Sequence, residues 1–277
     1  GEALWERQFE TVLSNHGSGV SPMLYENKVI LPCDTEGQSF LTALDAASGE
    51  EVWRTARTSI KSSFATPCLF TDQSGQNSLV FNSMAHGISS IDPSTGKVIW
   101  ELKNLFDKRT VSSSLTADGL LFGTCGSGAG GNYLVAVHPG DPEKDQAPEL
   151  AYTLRRSVPY VPTSVAKNGR LFLWSDSGIV TCVQSKSGKT VWQERVDGRY
   201  FGSPVWVEDR LFCIGTEGQV TVISASDKFK LLAVNHLGEL SHSPPALTGN
   251  RIYFRSGSGT TAASGLPSAR PSHPVQT

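Results

Sequence analysis

The chain has 277 residues, 38% hydrophobic and 18% charged, enough apolar surface for a buried core in one or two domains. Its 24 Lys and Arg against 26 Asp and Glu leave a net charge of −2, which disfavours the basic surface that nucleic acid or an anionic membrane demands. Apolar runs such as "RLFLW" stop far short of the ~20 residues needed to cross a bilayer, so no membrane span is expected. No charged and apolar leader opens the chain, and a signal peptide is expected to have been removed or to lie outside this sequence.

In chain order, the first signal is Trp5 in "GEALWERQF", which reads as the tail of a phrase that recurs as "LDAASGEEVW" (44–53), "IDPSTGKVIW" (91–100) and "VQSKSGKTVW" (183–192). Trp5, Trp53 and Trp100 are 48 and 47 residues apart, and Trp192 follows after 92, leaving room for one degenerate copy at 135–154 with a Pro- and Asp-rich insert. A worn copy, "VISASDKFKLLAV" (222–234), carries Leu where Trp is expected. In each copy Leu44 or Ile91 ends a strand, Asp45 or Asp92 bonds the turn backbone, and Gly49, Gly96 or Gly188 takes a left-handed conformation. The strand then resumes into Trp53, Trp100 or Trp192.

A second phrase runs in step, at 21–31, 66–81, 113–123, 162–174, 203–215 and 243–254. Each copy is a short strand, a turn such as Asn168-Gly169 or Asp118-Gly119, and an apolar strand. Two hairpins every 40–50 residues predict an all-β propeller of four-stranded antiparallel blades, because one small sheet cannot cover both its faces and must stack on neighbours. The large tryptophans fill the spaces between blades, so the phrase is construction rather than chemistry.

The copies predict about six blades over residues 1–260, with a divergent C-terminal tail over 261–277. The last blade, opening near Ser243, lacks an outer strand, and the Trp5 segment supplies an orphan one. Pairing the two closes a six-bladed ring; the alternative is that the chain is a piece of a seven- or eight-bladed propeller.

The phrase "[LIV]D-x-x-[TS]-G-x-x-x-W", met at 44–53 and 91–100, resembles the repeats of the PQQ-like β-propeller family over roughly residues 1–260. The resemblance implies a periplasmic or extracellular setting. It also raises two functional classes. Quinoprotein dehydrogenases of this fold use PQQ with Ca²⁺, a catalytic Asp and often a disulfide of adjacent cysteines. Here the five cysteines (Cys33, Cys68, Cys125, Cys182, Cys213) are scattered, with no adjacent pair and no C-x-x-C. No D-x-D-x-D-G calcium loop is present either. The expectation is therefore a non-enzymatic scaffold for a protein or peptide partner, without cofactor or metal, similar to the propeller lipoproteins of outer-membrane assembly; a PQQ/Ca enzyme and a carbohydrate-sensing domain are the alternatives.

"GTCGSGAGGNY" (123–133) has glycines but no helix to follow them, and reads as a long flexible loop rather than a dinucleotide site. "HGSG" (16–19) reads as a polar loop. In a propeller, the loop opening each blade and the loop between its second and third strands share one face. The blade-opening loops carry His16, Lys61, Arg109, Arg156, Tyr160, Arg199, Tyr200, Phe201 and His242, to which the paired loops add Asp34, Glu36, His86 and Asp176. Of these, His16, Lys61, Arg109, Tyr160, Arg199, Tyr200 and His242 are the candidate partner-binding residues, since rings and guanidinium groups bind with little loss of entropy. The competing reading is that the rings line the channel and the arginines sit in water.

Overall fold

A computed structural model describes residues 2–9, 17, 19–257 and the backbone of 261–264. Blade 1 comprises β1 (Met23–Tyr25), β2 (Lys28–Cys33), β3 (Ser39–Asp45) and β4 (Glu51–Arg57). Blade 2 comprises β5 (Cys68–Thr71), β6 (Asn77–Ser83), β7 (Gly87–Ile91) and β8 (Val98–Leu102). Blade 3 comprises β9 (Leu115–Ala117), β10 (Leu120–Cys125), β11 (Tyr133–His138) and β12 (Glu149–Leu154). Blade 4 has β13 (Val165–Lys167), β14 (Arg170–Trp174), β15 (Ile179–Gln184) and β16 (Thr190–Arg195). Blade 5 has β17 (Val205–Val207), β18 (Arg210–Ile214), β19 (Gln219–Ser224) and β20 (Leu231–His236). Blade 6 has β21 (Ala246–Thr248), β22 (Arg251–Arg255) and β23 (Thr261–Ser264). Strands pair in sequence order and antiparallel, giving five four-stranded sheets and one of three strands.

The apolar runs are continuous rather than alternating because the second strand of each inner blade is covered on both faces. In β18, Leu211 and Cys213 pack toward blade 4 while Phe212 and Ile214 pack toward blade 6. In β14, Leu171 and Leu173 face blade 3 while Phe172 and Trp174 face blade 5. Five buried clusters lie between successive blades, from Ile30, Leu41 and Phe81 at the first junction to Phe212, Ile252 and Phe254 at the fifth. Each fully buried Leu, Ile or Phe contributes about 1.5–3 kcal/mol.

The first hairpin of blades 3 and 4 turns in two residues, both left-handed: Asp118 (φ 52°) with Gly119 (φ 79°), and Asn168 (φ 47°) with Gly169 (φ 73°). This geometry matches the twist of the flanking strands. The third and fourth strands of all five complete blades carry a register shift at one equivalent place, as between Ala43 and Leu44 opposite Trp53 and Glu51. The shift sharpens the local twist and aims the residue opposite it, Trp53, Trp100, Tyr152, Trp192 or Ala233, at the next blade.

These side chains latch blade to blade. The Trp5 indole N–H donates to Ala46 O (3.0 Å), Trp53 to Pro93 O (3.0 Å) and Trp192 to Ser226 O (2.9 Å), while the Tyr152 hydroxyl donates to Ser185 O. Asp45 folds its turn by accepting from Ala47 N (3.0 Å) and Ser48 N (2.9 Å), and Asp92 does the same with Ser94 N (2.7 Å). Gly49, Gly96 and Gly188 have φ of 73°, 72° and 68°, and a β-carbon on Gly96 would stand 2.5 Å from Trp53. Only glycine lets the ring lie on the turn.

The Trp5 segment lies against the β3–β4 turn of blade 1, but among the described residues no ladder joins residues 2–9 to blade 6. The exchange of strands expected between them is therefore not formed there. Strand β23 falls at the start of the stretch read from sequence as a tail, and residues 265–277 lie outside the described residues.

Candidate functional site

The blade-opening loops and the loops between second and third strands interlock on one face, and over blades 1 and 2 Arg57, Asp34, Glu101 and His86 are spent on one another. Arg57, at the end of β4, is buried and holds Asp34 through two bonds, Nε to Oδ1 (3.0 Å) and Nη2 to Oδ2 (2.9 Å). Its remaining donors reach Ser83 Oγ and Ser89 Oγ, each at 3.0 Å. Glu101 approaches Arg57 at 4.0 Å and lies 2.9 Å from His86 Nδ1, whose Nε2 meets the backbone of Thr58. Buried charge is tolerated because each guanidinium nitrogen has an acceptor and a carboxylate stands against the group.

Over blades 3 to 5 the same face opens into a groove of about 570 Å³. Its floor and walls come from loop 126–132, the opening loops of blades 4 and 5, and the Asp176 turn. Asp176 shapes it: its carboxylate accepts from Tyr160 N (2.6 Å) and Val161 N (3.1 Å), and its carbonyl accepts from Tyr200 N (3.0 Å). One acidic residue thus fixes two opening loops. Loop 126–132 is tied down at several points. Lys108 Nζ donates to Gly130 O and Gly131 O at 3.0 Å, Asn132 Oδ1 accepts from Ser127 N, and Asn132 Nδ2 donates to Val158 O.

With both Asp176 carboxylate oxygens occupied by backbone N–H groups, the charged side chains with donors free for a ligand are Arg155 and Arg199. Arg155 lies over the Tyr133 ring (4.6 Å to the centroid) and Arg199 is exposed; among the described residues neither has an ion pair. Tyr160 and the half-exposed Phe201 supply the apolar walls. Guanidinium groups beside rings suit an acidic or carbonyl-rich segment.

The candidate residues named from sequence distribute unevenly around this face. Tyr160 and Arg199 line the groove. His242 stands at its edge, its ring 5.5 Å from that of Phe201. Arg109 sits apart, toward blade 1, where Glu36 approaches at 3.6 Å and the Phe64 ring at 5.8 Å. Lys61 is exposed over blades 1 and 2, away from the groove. His16 lies outside the described residues.

Tyr200 requires a correction. It is fully buried against Trp174 (5.2 Å, edge-on), and its hydroxyl meets Asp197 O (2.7 Å) and Thr221 Oγ1 (2.9 Å). Burial pushes the phenol up to about 12. It holds the loop that presents its neighbours, because in an extended segment residues 199 and 201 point out where 200 points in. Arg155 was not singled out from sequence, and the stretch 123–133 was read there as a long flexible loop without a part in binding. Their membership depends on which loops neighbouring blades bring together, and no local motif records that.

Among the described residues no three His, Cys, Asp or Glu side chains gather where one ion could be held.

The crystal structure of BamB from Moraxella catarrhalis is similar in fold, with a TM-score of 0.63 and 16% identity over 87% of this chain and 68% of that one. The computationally designed Ika8 protein is similar too, with a TM-score of 0.66 and 10% identity over 89% of this chain and 70% of that one. No curated protein sequence matches. The profile of the family described as outer membrane protein assembly factor BamB matches residues 1–120 and 153–265. Together with the repeated turn, glycine and indole latch, that match over most of the chain shows that it belongs to the BamB-like branch of the PQQ-like β-propeller repeat family.

Proposed function

We propose that this chain is a non-enzymatic binding module that presents the groove over blades 3 to 5 to a protein partner during outer-membrane protein assembly, on the periplasmic side of that membrane. The observation that carries the reading is that Arg155 and Arg199, without an ion pair among the described residues, stand beside Tyr160 and Phe201, while Arg57, Asp34, Glu101 and His86 on the same face answer one another. The family's description as an assembly factor supports the class of partner. An acidic, extended segment fits the groove's two guanidinium groups, with Phe201 and Tyr160 as anchors.

The test is site-specific photocrosslinking in cells from position 201, with position 168 on the opposite face as control. The expected result is one discrete adduct from 201, identified by mass spectrometry as an outer-membrane assembly component and lost in the Arg199→Glu background. Equal adducts from 201 and 168, or an adduct indifferent to Arg199→Glu, overturn the reading.

A further inference from the structure

At the junction of blades 2 and 3 a latch ring is present without a turn to seat it. Wherever a turn of the next blade receives an indole or phenol, the ring's donor meets a carbonyl of that turn, as Trp53 meets Pro93 O and Trp5 meets Ala46 O. Blade 3 has no such turn. Between Val137 and Leu150, paired across the β11–β12 hairpin, an insert replaces the short turn that separates Leu44 from Glu51 in blade 1. The insert folds on itself: Asp141 caps a 3-10 turn (Pro142–Lys144) and pairs with Lys144 at 2.6 Å.

Trp100 therefore faces a cavity of about 320 Å³ instead of a turn. Phe70, Ile99 and Trp100 form its apolar floor; the 72–76 turn of blade 2 and the insert of blade 3 form its walls. Among the described residues the Trp100 indole N–H meets no carbonyl of blade 3, unlike those of Trp5, Trp53 and Trp192. The rim is acidic. Asp72 is engaged by its own turn and Asp141 by Lys144, while the exposed Glu143 carboxylate has no ion pair among the described residues.

We propose that this cavity is a second docking site, on the face opposite the groove, for a tight glycine-bearing turn of a partner polypeptide with a basic residue after the glycine. The molecule itself shows the chemistry. Trp53 receives the turn of Gly96, Tyr152 that of Gly188 and Trp5 that of Gly49; the residues that follow are Lys97, Lys189 and Glu50, so the glycine is what recurs and the basic residue is set by the acidic rim of this cavity. The carbonyl answers the free indole donor, the missing β-carbon admits the ring, and the basic residue answers Glu143.

The test uses the full chain labelled with 15N-tryptophan, whose six tryptophans give six indole resonances. The Trp100 resonance is assigned by its loss in Trp100→Phe. The probe is a cyclic hexapeptide, Asp-Pro-Ser-Thr-Gly-Lys. The expected result is a saturable shift of the Trp100 indole resonance alone, at least tenfold weaker in affinity for the probe with Ala at the glycine. Glu143→Lys, an exposed change in the insert, is expected to weaken the probe severalfold while leaving the other five resonances in place. No shift at millimolar probe, equal binding of the alanine probe, or a shift produced by maltose but not by the peptide each overturns the proposal.

Discussion

Two halves of one loop face use the same residue types in opposite ways. Over blades 1 and 2, Arg57, Asp34, Glu101 and His86 close on one another and are largely withdrawn from solvent; over blades 3 to 5, Arg155 and Arg199 have no ion pair among the described residues, and the Asp176 carboxylate accepts from backbone N–H groups. A charge that is already answered adds to the fold and little to recognition, whereas an unanswered one on a fixed loop is available to a partner. Counting charged residues per loop does not separate these halves. Their partners do.

Breaking the closed half has the largest expected effect. Asp34→Ala leaves the buried Arg57 guanidinium without its bidentate partner and is expected to cost about 3–5 kcal/mol, read by denaturant unfolding, while the isolated native protein still crosslinks from position 201. Tyr200→Phe removes a hydroxyl with two buried partners and is expected to cost roughly 1–2 kcal/mol without abolishing that crosslink. Arg155→Glu with Arg199→Glu is expected to shift stability by no more than about 0.5 kcal/mol, since both side chains are exposed, yet to remove the adduct.

The smallest effect is on the acid limb of stability. The backbone N–H groups of Ser48 and Ala47 hold the Asp45 carboxyl below its ordinary value. A depressed folded value means stability that is present above the unfolded pKa of about 3.9 and lost as pH falls through the folded one. Asp45→Asn is expected to flatten stability against pH below about 4, with no change near neutrality in that slope; an unchanged acid limb contradicts the turn's contribution.

Much of the architecture was legible because its causes are local and repeated. The Asp, Gly and Trp of each phrase act through a turn and a single ring contact, so the spacing of Trp5, Trp53 and Trp100 carries the blade repeat. Tyr152 was hidden by the insert before it, although the register opposite Ala136 gives it the place that Trp53 holds opposite Ala43. In blade 5 that place falls to Ala233, preceded by Leu232, which the shift skips, and Leu231, which pairs with Ile223. The groove was legible only in pieces. Tyr160 and Arg199 stand out as loop residues, but their meeting with Arg155 and residues 127–132 depends on inter-blade geometry, and the inward turn of Tyr200 depends on a one-residue alternation within its loop.

The latches all run one way: the ring belongs to one blade and the turn that seats it to the following blade. Strain placed in a turn is therefore registered upstream of itself. Gly96→Ala, made in blade 2, would displace the Trp53 ring and loosen the outer strand of blade 1, so that faster amide exchange appears first in β4 and not in the strands flanking the altered residue. Like dominoes that can fall in one direction only, the blades hand local disorder back along the chain, and the junction at Trp100, where the insert interrupts the series, is where that transmission stops.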